Sequence, residues 1–285
     1  MSRLVAVTGA AGWLGSECAA ALRSSGARVR RLTRVPQGEA DFAFRLGEPV
    51  DPAALRGVDA LIHAAHDFGV RGETEMRRVN IEGSEALLRA AEAAGVRRVV
   101  FVSSVSAFEG CLSLYGRAKL EIEAATAARG GLSVRPGLLY DLSGRGMFGA
   151  LSRLSRLPVL PLIDGGRQPL HLAHVEDARA AIVSALDWDA ATEEAPVSLA
   201  HPEPVTLEKI LREQARAQGR SFVGVPVPGG LALAGLRALE AAGLRPRTGS
   251  DSLIALQNPN PRPDFSAQAR LGLFFRRFLD QGPAA

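Results

Sequence analysis

Eight residues near the N-terminus, Thr8-Gly9-Ala10-Ala11-Gly12-Trp13-Leu14-Gly15, constrain the fold more than any other stretch of the chain. They follow an apolar run at 4–7 and precede an Ala/Leu-rich segment with helical spacing at 18–22. A glycine-rich turn between strand and helix lets the backbone bend tightly and an anion approach the helix N-terminus. Free N–H groups and the helix dipole favour negative charge there. The reading is a pyrophosphate cradle for a dinucleotide, with Gly9, Ala11, Gly12, Trp13, Leu14 and Gly15 as candidate contacts.

The pattern repeats downstream. Short apolar runs at 29–32, 60–64, 99–102 and 132–134 alternate with helical segments such as 82–94, and Gly26 and Gly95 stand where helices stop. This alternation predicts an α/β fold, a Rossmann-type doubly wound parallel sheet with helices on both faces. Past residue 145 the pattern loosens, with Pro158, Pro161, Gly165, Gly166 and Pro169 close together. The expected organisation is a dinucleotide-binding domain over 1–145, rejoined by 171–186, and a smaller lobe over most of 146–285 that binds the substrate.

The second strand should end where the adenosine ribose is read, about twenty positions after the glycine loop. It ends Arg30-Arg31-Leu32-Thr33-Arg34, without a carboxylate to accept from a 2′-hydroxyl. Arg34, with Arg31, suits a 2′-phosphate, because guanidinium forks match phosphate oxygens. NADP is therefore expected in preference to NAD.

Tyr115 and Lys119 stand four residues apart on a helical segment, hence on one face. The chain has only two tyrosines and two lysines, so the coincidence is informative. A lysine cation beside a phenol is expected to lower its pKa, and such a phenol exchanges protons with a carbonyl or alcohol oxygen while hydride moves at carbon. Upstream, a strand runs into Ser103-Ser104, where open α/β sheets bind ligands.

These motifs resemble the extended short-chain dehydrogenase/reductases, the NAD-dependent epimerase/dehydratase group. The resemblance also takes in His63-Ala64-Ala65, Asn80, Arg135-Pro136-Gly137 and His174-Val175-Glu176-Asp177, in family order over about residues 3–185. It implies Ser104, Tyr115 and Lys119 as the catalytic triad, with Lys119 also holding ribose. It implies Ala64, Ala65 and Asn80 lining the cofactor site, and Ser103 and Pro136 near the nicotinamide. Gly47-Glu48 stands where the family places Gly-Asp near the adenine, which makes Glu48 a candidate contact. The arginine that nucleotide-sugar epimerases place before the His-Val-x-Asp motif is replaced by Gln168-Pro169-Leu170-His171, with Arg167 out of register.

The expected activity is NADP(H)-dependent oxidoreduction at a carbonyl or alcohol carbon of a small molecule. The rivals are an NAD-dependent nucleotide-sugar epimerase or dehydratase, and a non-catalytic dinucleotide sensor. The net charge of +4 comes from scattered arginines without a dense basic run, so no nucleic-acid partner is expected. No apolar run reaches membrane-spanning length, and the chain enters a strand at once without room for a signal peptide. Two cysteines make no disulfide framework, which fits the cytoplasm. The five histidines lack metal-ligand spacing, and no metal is expected. His66 and Asp67 either face the substrate or form a solvated, locally capped pair. His174 and Asp177 read as turn and cap residues. A homodimer is compatible with the resemblance, though no interface is legible.

Overall fold

The computed structural model describes residues 2–278 apart from 39, 142, 190–195 and 245–248. The glycine loop joins β1 (Leu4–Thr8) to α1 (Trp13–Ser24), and β2 (Arg28–Thr33) and β3 (Asp41–Ala43) follow. Then come β4 (Ala60–His63), α2 (Gly72–Glu75), a π-helical turn (Met76–Ile81), α3 (Glu82–Ala93), β5 (Arg98–Val102), α4 (Leu114–Ala127) and β6 (Leu132–Pro136).

These strands form a parallel sheet whose order is completed by a strand far along the chain, Val197–Leu199. β1 lies in its interior, with Val5 level with Val29 of β2 on one side and Ala60 of β4 on the other. All five β1 residues are buried, as a strand covered on both faces requires. Alternate side chains serve opposite layers. Val5 and Val7 pack with Cys18, Leu22, Val100 and Val134, whereas Leu4 and Ala6 pack with Leu32, Leu55, Leu61 and Leu87. The chain leaves β1 in opposite directions along the sheet toward β2 and β4. The crevice at their C-terminal ends is thus a topological switch point, where such sheets bind ligands.

Beyond residue 137 the order is β7 (Leu138–Tyr140), α5 (Gly146–Leu154), β8 (Val159–Ile163), β9 (Pro169–Leu170), β10 (Leu172–His174) and α6 (Val175–Ser184). Then follow β11 (Val197–Leu199), β12 (Val205–Thr206), α7 (Leu207–Ala217), β13 (Val223–Val227), α8 (Gly229–Ala241), α9 (Ser250–Gln257) and α10 (Ser266–Arg270). The chain rejoins the main sheet at two places. Ala178, Ala181 and Ile182 of α6 enter the core layer beside α1, and β11 pairs with β6 as the seventh strand. The smaller lobe has its own apolar cluster, in which Leu160 and Leu162 of β8 pack on Leu207 and Leu211 of α7 and on Phe222. Among the described residues no helix is long and apolar enough to cross a membrane.

Two arginines from the second half meet Glu17 of α1: Arg145 and Arg179 each place a guanidinium nitrogen 3.0 Å from its carboxylate. His174 caps α6 by accepting from the Glu176 N–H. Asp177 reaches instead to the C-terminal segment, accepting from the Arg276 guanidinium at 2.7 Å and the Arg276 N–H at 3.0 Å.

Candidate active site

The glycine loop is built around close backbone approach. Gly9 has φ +65°, and a Cβ there would lie 3.0 Å from the Ala64 carbonyl. A Cβ on Gly15 would fall 2.3 Å from the Gly9 carbonyl oxygen. α1 starts at Gly12 without a side-chain cap, so its first-turn N–H groups remain available to an anion. This tight turn, which leaves no room for a side chain at Gly9 or Gly15, presents those N–H groups in a way that fits a pyrophosphate.

The ends of β1 and β4 are stitched together through Thr8. Its hydroxyl accepts from the N–H groups of Ala64 and Ala65, both at 3.1 Å, and bonds the His63 ring at 2.8 Å. The other His63 nitrogen meets the Ser84 hydroxyl at 2.9 Å. Burial first, and the Lys119 charge second, lower the His63 pKa to about 3, so this ring is a neutral crosslink. Ala64 and Ala65 line the loop with their N–H groups already used. Asn80 is buried and pins the next stretch: its Oδ1 accepts from the Asp67 N–H at 2.7 Å and its Nδ2 donates to the Asp67 carbonyl at 3.1 Å.

Tyr115 lies in the first turn of α4, whose N-terminus carries two caps. Ser113 accepts from the Gly116 N–H at 3.1 Å. Asp251 of α9 accepts from the N–H groups of Leu114, at 2.6 Å, and Tyr115, at 3.1 Å. One turn on, Lys119 is buried, donates to the Val102 carbonyl at 2.8 Å and lies 4.7 Å from the centre of the Phe101 ring. Burial lowers its pKa to about 7, against the attraction of Glu123.

Lys119 Nζ lies 5.7 Å from the Tyr115 ring centre. The expected lowering of the phenol pKa is not what this geometry produces. Burial raises Tyr115 to about 12, opposed by a side-chain hydrogen bond with Ser104. The burying groups include His66, edge-on to the phenol ring at 5.0 Å between centroids, and Phe68, stacked on it at 5.8 Å. Lys119 meanwhile spends a hydrogen bond on Val102.

Ser104 accepts from the Ser106 N–H at 3.1 Å. Ser103 donates its N–H to the Val134 carbonyl, and its hydroxyl is buried without a partner among the described residues. Pro136 ends β6, its carbonyl accepting from the Val105 N–H at 3.1 Å. The structure thus gathers Ser103, Ser104, Tyr115, Lys119 and Pro136 at the C-terminal ends of β5 and β6.

The remaining candidates belong to the periphery of β2. Arg34 is exposed, with no hydrogen bond or ion pair among the described residues. Arg31 is engaged, donating to Asp41 of β3 at 3.2 Å and to the Ala10 carbonyl of the glycine loop at 3.2 Å. Glu48 is exposed and pairs with Arg45 at 3.2 Å. Sequence reasoning missed Asp41 and Asp251. Asp41 carried a signal, a carboxylate on the strand next to β2. Asp251, more than a hundred residues from α4, carried none. Among the described residues no group of three His, Cys, Asp or Glu is placed to hold a metal ion.

Residues 5–197 match the model of the NAD dependent epimerase/dehydratase family. The chain belongs to this family. A ceramide reductase of Caulobacter vibrioides is 34% identical over 192 residues, covering 64% of this chain and 60% of that protein. A 3 beta-hydroxysteroid dehydrogenase/Delta 5-->4-isomerase of Mycobacterium tuberculosis is 32% identical over 127 residues, 39% of this chain and 34% of that protein. The chain thus spans less than two thirds of the length of these relatives. Among solved structures, MoeE5 in complex with UDP-glucose and NAD superposes with a TM-score of 0.66 at 23% identity, covering 94% of this chain and 99% of that one. That likeness is one of fold.

Proposed function

We propose that this chain is an NADP(H)-dependent oxidoreductase acting at a carbonyl or alcohol carbon of a small organic substrate. The observation that carries the reading is the conjunction of Tyr115, hydrogen-bonded to Ser104, with Lys119 one helical turn on, at the strand ends beside the glycine cradle. The cradle's side-chain-excluding glycines and the unpartnered Ser103 hydroxyl fit a bound dinucleotide. Gly9, Ala11, Gly12, Trp13, Leu14 and Gly15 would hold its pyrophosphate. Arg34 and Glu48 would stand at the adenosine end, and Ala64, Ala65, Asn80, Ser103, Lys119 and Pro136 along the rest. Bound there, the cofactor supplies or accepts the hydride.

The protein's own part is proton delivery and orientation. A phenol with a pKa near 12 stays protonated at neutral pH, which suits Tyr115 to donate to a carbonyl oxygen as hydride reaches the carbon. Ser104 orients that oxygen. Lys119, buried one turn away, holds ribose and biases the phenol when it carries its proton.

Three observations support the finer choices. Arg34 is a guanidinium without a partner among the described residues at the end of β2, while Asp41, the carboxylate nearest that strand end, is taken by Arg31. This supports a 2′-phosphate. In the stretch Gln168-Pro169-Leu170-His171, where epimerases carry the pyrophosphate-holding arginine, no arginine stands, and Gln168 is buried and donates to the Ile163 carbonyl, which supports a smaller substrate. The exposed Phe68 beside Tyr115 supports an apolar one, in keeping with the lipid substrates in the names of the ceramide reductase and the hydroxysteroid dehydrogenase.

The test is a fluorescence titration with NADPH and NADH in parallel, followed by a screen of carbonyl compounds. Tighter NADPH binding that is lost in Arg34→Ala, with turnover abolished and affinity kept in Tyr115→Phe, is the expected result. A preference for NADH would overturn the role of Arg34. Turnover surviving in Tyr115→Phe would overturn the role of Tyr115.

A further inference from the structure

Two histidines three residues apart have opposite fates. His63 is fully satisfied, one ring nitrogen on Thr8 and the other on Ser84. His66 has both ring nitrogens buried, and neither has a hydrogen-bond partner among the described residues. A structural histidine in a protein interior resembles the first, because an unsatisfied buried polar group is costly and calls for a reason.

The place of His66 supplies one. Its ring stands edge-on to Tyr115 at 5.0 Å and to Phe68 at 4.7 Å. Phe68 is 71% exposed, so the three rings run from the strand ends toward solvent. The backbone on both sides of His66 is fixed, Ala64 and Ala65 by the Thr8 hydroxyl and Asp67 by the Asn80 amide. A ring held in this way, with both nitrogens free, is preorganised for a ligand. Burial and the nearby Lys119 charge keep the ring in its neutral form. It therefore offers one N–H donor and one bare nitrogen acceptor. A hydroxyl group, itself donor and acceptor, can bond whichever of the two nitrogens faces it, accepting from the N–H or donating to the bare nitrogen.

Resting on the oxidoreductase reading of Tyr115, we propose that His66 is a specificity-determining residue that hydrogen-bonds a second oxygen of the substrate, a hydroxyl on the carbon next to the one at which Tyr115 acts. The preferred substrates are then α-hydroxycarbonyl compounds, or the vicinal diols they form on reduction, on an apolar chain that leaves past Phe68. A ketone lacking that hydroxyl leaves the imidazole nitrogens unpaired in the complex and is discriminated against.

The experiment compares a medium-chain methyl ketone with its α-hydroxylated counterpart. Equilibrium binding of each is measured to protein saturated with oxidised cofactor, for the wild type, His66→Ala and His66→Asn. Turnover of the same pair is measured with reduced cofactor. The expected result is at least about tenfold tighter binding of the hydroxyketone by the wild type. That preference is abolished in His66→Ala and partly kept in His66→Asn, which retains a donor and an acceptor, while NADPH affinity is unchanged in both. Three results would overturn the proposal. They are no preference in the wild type, equal weakening of both ligands in His66→Ala, and weakened NADPH binding in that variant, which would assign the imidazole to the cofactor. A binding preference without turnover would keep His66 and sink the oxidoreductase reading; turnover of both compounds without a preference would do the reverse.

Discussion

The carboxylate of Asp251 accepts from the backbone N–H of Tyr115, at 3.1 Å, and so ties α9 in the second half of the chain to the first turn of the helix that carries the phenol. The same carboxylate takes the Leu114 N–H at 2.6 Å. Ser113 already satisfies the Gly116 N–H, so Asp251 fills donors that would otherwise be orphaned. Its charge also lies at the positive end of the helix dipole.

Asp251→Ala should therefore cost about 1 kcal/mol of stability, as the loss of a cap does. It should lower kcat by about 10- to 100-fold, because small displacements of a reacting group are costly. Asp251→Asn, which keeps one of the two acceptor oxygens, should recover part of the rate. NADPH affinity should not change, since the glycine loop is untouched. Steady-state kinetics with a cofactor titration would check both variants, and an unchanged kcat in Asp251→Ala would mean that this contact does not position Tyr115.

Gly15→Ala should be severe. The added methyl would stand 2.3 Å from the Gly9 carbonyl oxygen, which is backbone and can move only by opening the turn. Overpacking of this kind costs about 1–3 kcal/mol, and here it also distorts the cradle. A lowered melting temperature together with weakened binding of both NADPH and NADH is expected.

Much of this architecture is legible in the chain. The glycine loop, the run of parallel strands and the Tyr115–Lys119 spacing are local patterns, and local backbone sterics and side-chain period determine them. What the chain does not display is set by distant contacts. β11 is three residues long, and its place as the seventh strand depends on its register with β6. Asp251 stands in the first turn of its own helix like an ordinary first-turn acid, so its grip on α4 has no sequence signature. The pKa of Tyr115 is another case. The spacing of a tyrosine and a lysine says that they share a helix face, but burial raises the phenol, and the rings of His66 and Phe68 that pack on it come from another loop.

Asn80→Ala should loosen that loop. Removing the amide leaves the part-buried Asp67 N–H and carbonyl without the partners they now have at 2.7 and 3.1 Å. The cost should be about 1–3 kcal/mol in urea denaturation. The α-hydroxyketone preference assigned to His66 should shrink with it. Stability loss with that preference intact would make Asn80 a purely structural residue.

Lys119→Met should stabilise the cofactor-free protein while abolishing turnover, and the gain should depend on pH. The folded chain holds this lysine at about 7, below its ordinary value of 10.5, because burial penalises the charged form. Between those two values the unfolded chain binds a proton that the folded chain has released, so wild-type stability rises with pH across that window. Below about 7 both states are protonated and the full penalty of a buried cation remains. Methionine fills a similar volume without a charge to bury, and replacements of this kind at buried charged positions gain about 1–4 kcal/mol. The advantage of the variant should therefore be largest near pH 6 and shrink steadily toward pH 10, where the wild-type amine is neutral and its hydrogen bond to Val102 is still in place. Melting temperatures of both proteins across that range provide the check. A difference independent of pH would mean that Lys119 keeps an ordinary lysine pKa, and that its cation stands beside Tyr115 at neutral pH after all.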